Sequence, residues 1–159
     1  MGNLMLFTDG SVHAKSNIGY GAYLAVPGGE LKLDSLKTRV RVRKFEHTSS
    51  TKLELQTLLW ALSEIQAVGS RVIVYTDSQH ILGLRGRRDR FEKNDFRSKK
   101  NRRFNNDELY QEFYRMTDPL DCEFIKVHGH QKSNQKDDID RLFTLVDQAS
   151  RNALRGDHL

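Results

Sequence analysis

Residues 50–78 read STKLELQTLLWALSEIQAVGSRVIVYTDS. The first part has a helical period: Leu55, Leu58, Leu59, Leu62 and Ile65 recur three and four apart, and Gly69 closes the run. The second part does not. Arg71–Thr76 is a short β-branched strand that stops at Asp77-Ser78, a helix N-cap signal. Helix, strand and helix in succession predict an α/β arrangement with helices on the faces of a sheet.

Upstream, Asn3 to Thr8 is apolar and β-prone and ends at Asp9-Gly10-Ser11, a turn signal. Gly19 to Val26 reads as a second strand, closed by Pro27-Gly28-Gly29. Residues 30–46 continue as strand, with Val40 and Val42 alternating with Arg39, Arg41 and Arg43, a pattern that suits one wet face. These three segments predict an antiparallel meander. Downstream of Ser78 a short helix runs through Leu84, and a basic stretch follows. A helix then covers about 106–116, a fifth strand 122–128 and a last helix about 137–154. The last helix carries Ile139, Leu142, Phe143, Val146, Ala149 and Ala153 on one face. The predicted order is βββ-α-β-α-α-β-α: an α/β fold with a five-stranded mixed sheet, three antiparallel strands then two parallel, flanked by helices.

The chain has 159 residues, which suits one domain over 1–159 with a sizeable core. It is 30% charged with a mean hydropathy of −0.66, and its apolar runs are far shorter than the ~20 residues a membrane span needs. The start shows no basic, then apolar, leader pattern. The single cysteine, Cys122, has no internal disulfide partner, and with no export signal a reducing cytoplasm is the expected compartment; a monomer is the expected state. The net charge is +5, unevenly spread. Residues 85–103 hold ten basic side chains and three acids, a net +7 that leaves the rest of the chain at −2. A basic segment on a nearly neutral body is the footprint of a polyanion partner, most often nucleic acid; its plainer reading is a solvated charged helix.

Four acids stand out against this background. Asp9 ends the first strand and Asp77 the fourth. If those strands are parallel neighbours, both carboxylates reach the carboxyl edge of the sheet, where open α/β sheets build their sites. Glu54 lies in the first turn of the first helix, and Asp147 adjoins the buried stripe of the last. Clustered carboxylates raise one another's pKa or demand a cation, and an all-oxygen set suits Mg²⁺ or Mn²⁺. Each acid also has a plainer reading. Asp9-Gly10 makes a turn, Thr51-x-x-Glu54 fits a capping box, Asp77 caps a helix, and Asp147 pairs with Arg151 at i,i+4.

Taken in order, Thr8-Asp9-Gly10-Ser11, Lys52-Leu53-Glu54-Leu55, Tyr75-Thr76-Asp77-Ser78-Gln79, Val127-His128-Gly129-His130 and Val146-Asp147 resemble the type 1 ribonuclease H family over almost the whole chain. The resemblance implies the ribonuclease H-like fold and an endonuclease that cuts the RNA strand of RNA–DNA hybrids, leaving 5′-phosphate and 3′-hydroxyl ends. It implies two Mg²⁺ ions (or Mn²⁺) on Asp9, Glu54, Asp77 and Asp147. His130 then takes the part of a loop histidine that assists proton transfer or product release, with His128 its rival. Substrate contacts are expected from Gly10, Ser11, Ser50, Thr51 and Gln79 beside the acids. Arg87, Arg88, Lys99 and Lys100 are expected to contact phosphates, on a basic protrusion at about 85–104. Phe91, Phe96 and Phe104 within it either stack on the substrate or pack the protrusion against the body. Sixteen residues separate His130 from Asp147, a longer link than common relatives have, which makes Asp137, Asp138 and Asp140 rivals for the fourth carboxylate.

Overall fold

A computed structural model describes residues 3–28, 32–65, 70–98, 100, 102, 106–127 and 137–157. The elements are β1 (Asn3–His13), β2 (Ile18–Pro27), α1 (Leu33–Lys37), β3 (Arg41–Phe45), α2 (Ser50–Glu64), β4 (Arg71–Thr76), α3 (Gln79–Lys93), α4 (Asp107–Thr117), β5 (Asp121–Lys126) and α5 (Asp138–Gly156). They form one five-stranded mixed sheet in the order β3-β2-β1-β4-β5. β1, β2 and β3 pair antiparallel, and β1, β4 and β5 pair parallel. Among the described residues no helix is long and apolar enough to cross a membrane.

Alternation along the strands builds two cores. Leu6, Val72 and Val74 face α2, α3 and α4 with Leu55, Leu58, Leu62, Ile81, Leu84 and Phe113. Phe7 and Tyr75 face the other way, stacked at 4.9 Å, and pack on Leu142, Phe143 and Val146 of α5. The helix α2 comes unusually close to the sheet because β1 and β2 present glycines to it. A Cβ on Gly21 would lie 2.1 Å from Thr57 Oγ1, and one on Gly10 would lie 2.9 Å from Leu53 Cδ2. No side chain fits there, so the first turns of α2 lie directly against β1.

Several local expectations change. The Asp9-Gly10-Ser11 turn is absent: β1 continues to His13, and the reversal comes at 14–17, where Asn17 takes φ 57° and donates its N–H to His13 O. Pairing with β2, from Leu4↔Pro27 to His13↔Ile18, holds these residues extended. Residues 30–46 are not one strand. Leu33–Lys37 is a one-turn helix with Leu36 in the core, and only Arg41–Phe45 pairs with β2. Nor does β3 have one wet face, since four of its five residues are exposed, Val42 among them. The helix after Ser78 runs to Lys93, not Leu84, and absorbs half of the basic segment.

Candidate active site

The β1–β4 register ends at Phe7↔Tyr75. Continued by two residues, it brings Asp9 and Asp77 opposite each other at the point where β4 stops and the chain turns into α3. The turn is held by the Ser78 N–H, which donates to Thr76 Oγ1 at 3.1 Å, and by the Val127 N–H, which donates to Thr76 O at 3.0 Å. The two strands do not end alike. β1 stays paired to β2 past Asp9, so this side chain is half-buried, whereas Asp77 is exposed.

The other two acids arrive from the two helical layers. Leu53, packed on Gly10, fixes the first turn of α2, and the next residue, Glu54, turns to the β4–α3 junction. There its Oε2 accepts from the Ser78 hydroxyl at 2.5 Å, and the same hydroxyl oxygen caps α3 by accepting from Ile81 N–H at 3.1 Å. The true N-cap of α2 is Ser49, which accepts from Lys52 N–H, so the Thr51–Glu54 capping box does not form. From the opposite face α5 runs along β1. Asp147 hydrogen-bonds with Asp9, and one turn on the Ser150 hydroxyl meets Ser11 Oγ at 3.1 Å while donating to Asp147 O. Arg151 Nε holds Asp147 Oδ1 at 2.9 Å. The rivals to Asp147 are occupied elsewhere. Asp137 and Asp140 form the capping box that starts α5, and Asp138 pairs with Arg141.

Electrostatically the four acids form a chain of neighbours. Burial, then the charge of Asp77, then the hydrogen bond with Asp147 push the Asp9 carboxyl from its ordinary value near 3.8 up to about 8, against the opposing effect of the Gly10 N–H. Burial also raises Glu54. The Ser78 hydrogen bond opposes that rise, and the Asp77 charge adds to it. With Glu54 drawn to Ser78 and Asp147 to Arg151, no three of the described His, Cys, Asp and Glu side chains stand in positions that could hold an ion as they are.

The expected substrate-contacting residues divide. Ser50 and Thr51 are exposed at the start of α2, and Gln79 is exposed at the start of α3. Gly10 serves the approach of Leu53, and its N–H bonds to Asp9. Ser11 is turned to Ser150 rather than outward. Among the cations, Lys100 is exposed and Arg87 lies beside His80 Nδ1 at 3.5 Å. Arg88 is committed to the body: it grips Asp118 with both terminal nitrogens, donates from Nε to Glu92 Oε1 at 2.7 Å, and lies 5.0 Å over the Tyr114 ring. Phe91 and Phe96 are buried against Tyr110 and Tyr114, so they pack α3 rather than face a substrate. Lys99, Phe104, His128 and His130 lie outside the described residues. Sequence reasoning assigned Ser78 only to capping and missed the second role of its hydroxyl. It gave no role to Ser150, whose signal is its three-residue spacing from Asp147.

An antiparallel three-strand meander continued by two parallel strands, with helices on both faces, is the ribonuclease H-like fold. The RNase H family model matches residues 1–149, and the chain belongs to that family. A solved structure of the foamy viral protease-reverse transcriptase in complex with dsDNA is similar in fold. Its TM-score is 0.68 at 12% sequence identity, over 95% of this chain and 96% of that one. No curated protein matches the chain. Membership of the family supports nuclease activity toward RNA–DNA hybrids.

Proposed function

We propose that this chain is a divalent-metal-dependent endonuclease that cuts the RNA strand of RNA–DNA hybrids and leaves 5′-phosphate and 3′-hydroxyl ends. The observation that carries this reading is the convergence of acids from β1, β4, α2 and α5 at the carboxyl edge of the central strands, with burial and two further carboxylates pushing Asp9 up to about 8. A protein gains no stability from gathering acids in this way, and a pure phosphate binder is hindered by it, whereas a dication reverses the sign of the interaction. The donors are all carboxylate oxygens, which suits Mg²⁺ or Mn²⁺. Asp9, Glu54, Asp77 and Asp147 are the residues to hold two such ions. Bound there, the ions supply Lewis acidity for in-line displacement at phosphorus.

The chain's own side chains do the rest. Ser78 orients Glu54, and Arg151 offsets the charge of Asp147 until an ion replaces that need. Ser50, Thr51 and Gln79 are the polar groups to meet the 2′-hydroxyls that distinguish the RNA strand. His130 is the candidate for proton transfer or product release. The test is cleavage of an end-labelled RNA–DNA hybrid with Mg²⁺, with EDTA, and by Asp9→Asn. RNA-strand cuts that need both Mg²⁺ and Asp9 support the reading. Binding without cutting identifies a non-catalytic module, and efficient cutting of all-DNA duplex identifies a DNA nuclease on the same fold.

A further inference from the structure

The helix α5 is held to the sheet in two different ways. Up to Val146 the hold is apolar: Leu142, Phe143 and Val146 are buried in one cluster with Phe7 and Tyr75. Among the described residues after Val146, Ser150 alone is buried, with none of its surface exposed. It lies four residues on from Val146, where the apolar stripe would continue, so a hydroxyl stands in place of a hydrocarbon side chain. Asp147 sits at this changeover.

Strand alternation explains what the hydroxyl meets. Phe7, Asp9 and Ser11 share the face of β1 that looks at α5. Asp9 hydrogen-bonds with Asp147, and Ser11 Oγ meets Ser150 Oγ at 3.1 Å. The Ser150 proton goes to Asp147 O at 3.1 Å, so between the two serines Ser11 is the donor. The run from Ser11 through Ser150 to Asp147 O therefore ties the backbone of Asp147 to β1. The Asp147 carboxylate cannot do this in the metal-loaded protein. Its contacts, with Asp9 and with Arg151 Nε at 2.9 Å, are the ones an ion displaces.

We propose that Ser150, held by Ser11, is a positioning residue that keeps the backbone of Asp147 beside Asp9 when a divalent ion draws the Asp147 carboxylate off Arg151. This rests on the metal-dependent reading of the four acids and adds a part to that site. The competing account is that Ser150 only fastens the end of a helix. The structure supplies a control, because α5 has a separate fastening. Asp157 lies about 15 Å along the helix from Asp147; it accepts from the Tyr20 hydroxyl at 2.6 Å and pairs with Lys44 Nζ at 2.9 Å.

The test is calorimetric titration of the metal-free full chain with Mg²⁺, beside thermal melts in EDTA. It compares wild type, Ser150→Ala, Ser11→Ala, the double variant, Ser11→Thr and Tyr20→Phe. Ser150→Ala, Ser11→Ala and Tyr20→Phe each lose a hydrogen bond and are expected to lower the melting temperature by about 2–4 °C. Only the two serine variants are expected to weaken Mg²⁺ binding, by about tenfold. The double variant is expected to bind no more weakly than Ser150→Ala, since both changes break one connection. Ser11→Thr keeps the hydroxyl and is expected to keep the wild-type affinity. Wild type that binds Mg²⁺ and cuts hybrid, with serine variants that bind Mg²⁺ as tightly, overturns the positioning role and leaves the nuclease reading intact. Equal weakening by Tyr20→Phe overturns it in favour of general fastening of the helix. Wild type that neither binds Mg²⁺ nor cuts hybrid removes the nuclease reading and this inference with it.

Discussion

The Ser78 hydroxyl donates to Glu54 Oε2 at 2.5 Å and accepts from the Ile81 N–H at 3.1 Å. One short side chain thus starts α3 and aims an acid that comes from α2. Ser78→Ala removes both bonds. Loss of the cap costs about 1 kcal/mol of stability. Loss of a hydrogen-bond partner that orients a metal-ligating carboxylate costs about tenfold or more in metal affinity. Ser78→Thr keeps the hydroxyl and restores both. Thermal melts and calorimetric titration with Mg²⁺ check this; an unchanged Mg²⁺ midpoint in the alanine variant would show that Glu54 is aimed without Ser78.

Asp9 makes metal-free stability depend on pH in an unusual direction. Its folded pKa, about 8, lies above the unfolded value near 3.8. Between those values the folded state holds a proton that the unfolded state has lost, so stability falls as pH rises through this window. An ordinary salt-bridged aspartate does the reverse. The melting temperature in EDTA is expected to drop between pH 5 and 8, Mg²⁺ to recover it at the alkaline end, and Asp9→Asn to flatten the profile. A rising profile in EDTA would mean that Asp9 is ionised throughout.

Some of this was readable from residues alone, and the failures have physical causes. The α2–β4 change of period was legible because Leu58, Leu62 and Val74 are buried through local periodicity. Asp77 at the end of β4 was legible because Ser78 follows with a cap signal. The run of β1 past Asp9-Gly10-Ser11 was not. Turn propensity is local, while the extended backbone there is held by Ala22, Gly21 and Tyr20 on the neighbouring strand. The tight seat of α2 was hidden for the same reason, since Gly21 reveals its purpose only when Thr57 stands opposite. Arg88 looked like a free cation because Asp118 is thirty residues away in sequence.

Two glycines separate packing from backbone freedom. At Gly21 an added Cβ meets Thr57 Oγ1 at 2.1 Å and Thr57 Cβ at 2.9 Å, so α2 must move away from the sheet. Gly21→Ala is expected to cost about 1–3 kcal/mol and to weaken Mg²⁺ binding by displacing Glu54. At Gly86, inside α3, an added Cβ meets nothing within 4 Å. Gly86→Ala is expected to stabilise by about 0.5–1 kcal/mol through helix propensity. Denaturant unfolding of both variants checks the pair; equal effects would contradict the close seat of α2.

The basic segment divides by what each cation already holds. Arg88 is bound by Asp118 and Glu92 and lies over Tyr114, which keeps its guanidinium far above the range in which it could lose its proton and turned toward the α4 end of the body. Releasing it to a phosphate would break contacts already made, so it adds little to hybrid affinity. Lys100 is exposed, and a lysine in that setting exchanges water and counterions for phosphate. Lys100→Gln is therefore expected to lower the salt slope of hybrid binding by about one, with the melting temperature unchanged. Arg88→Gln is expected to leave that slope unchanged and to lower the melting temperature by unpairing Asp118. The reverse pattern, with Arg88 dominating the slope, would mean that the Asp118 contact opens when nucleic acid binds.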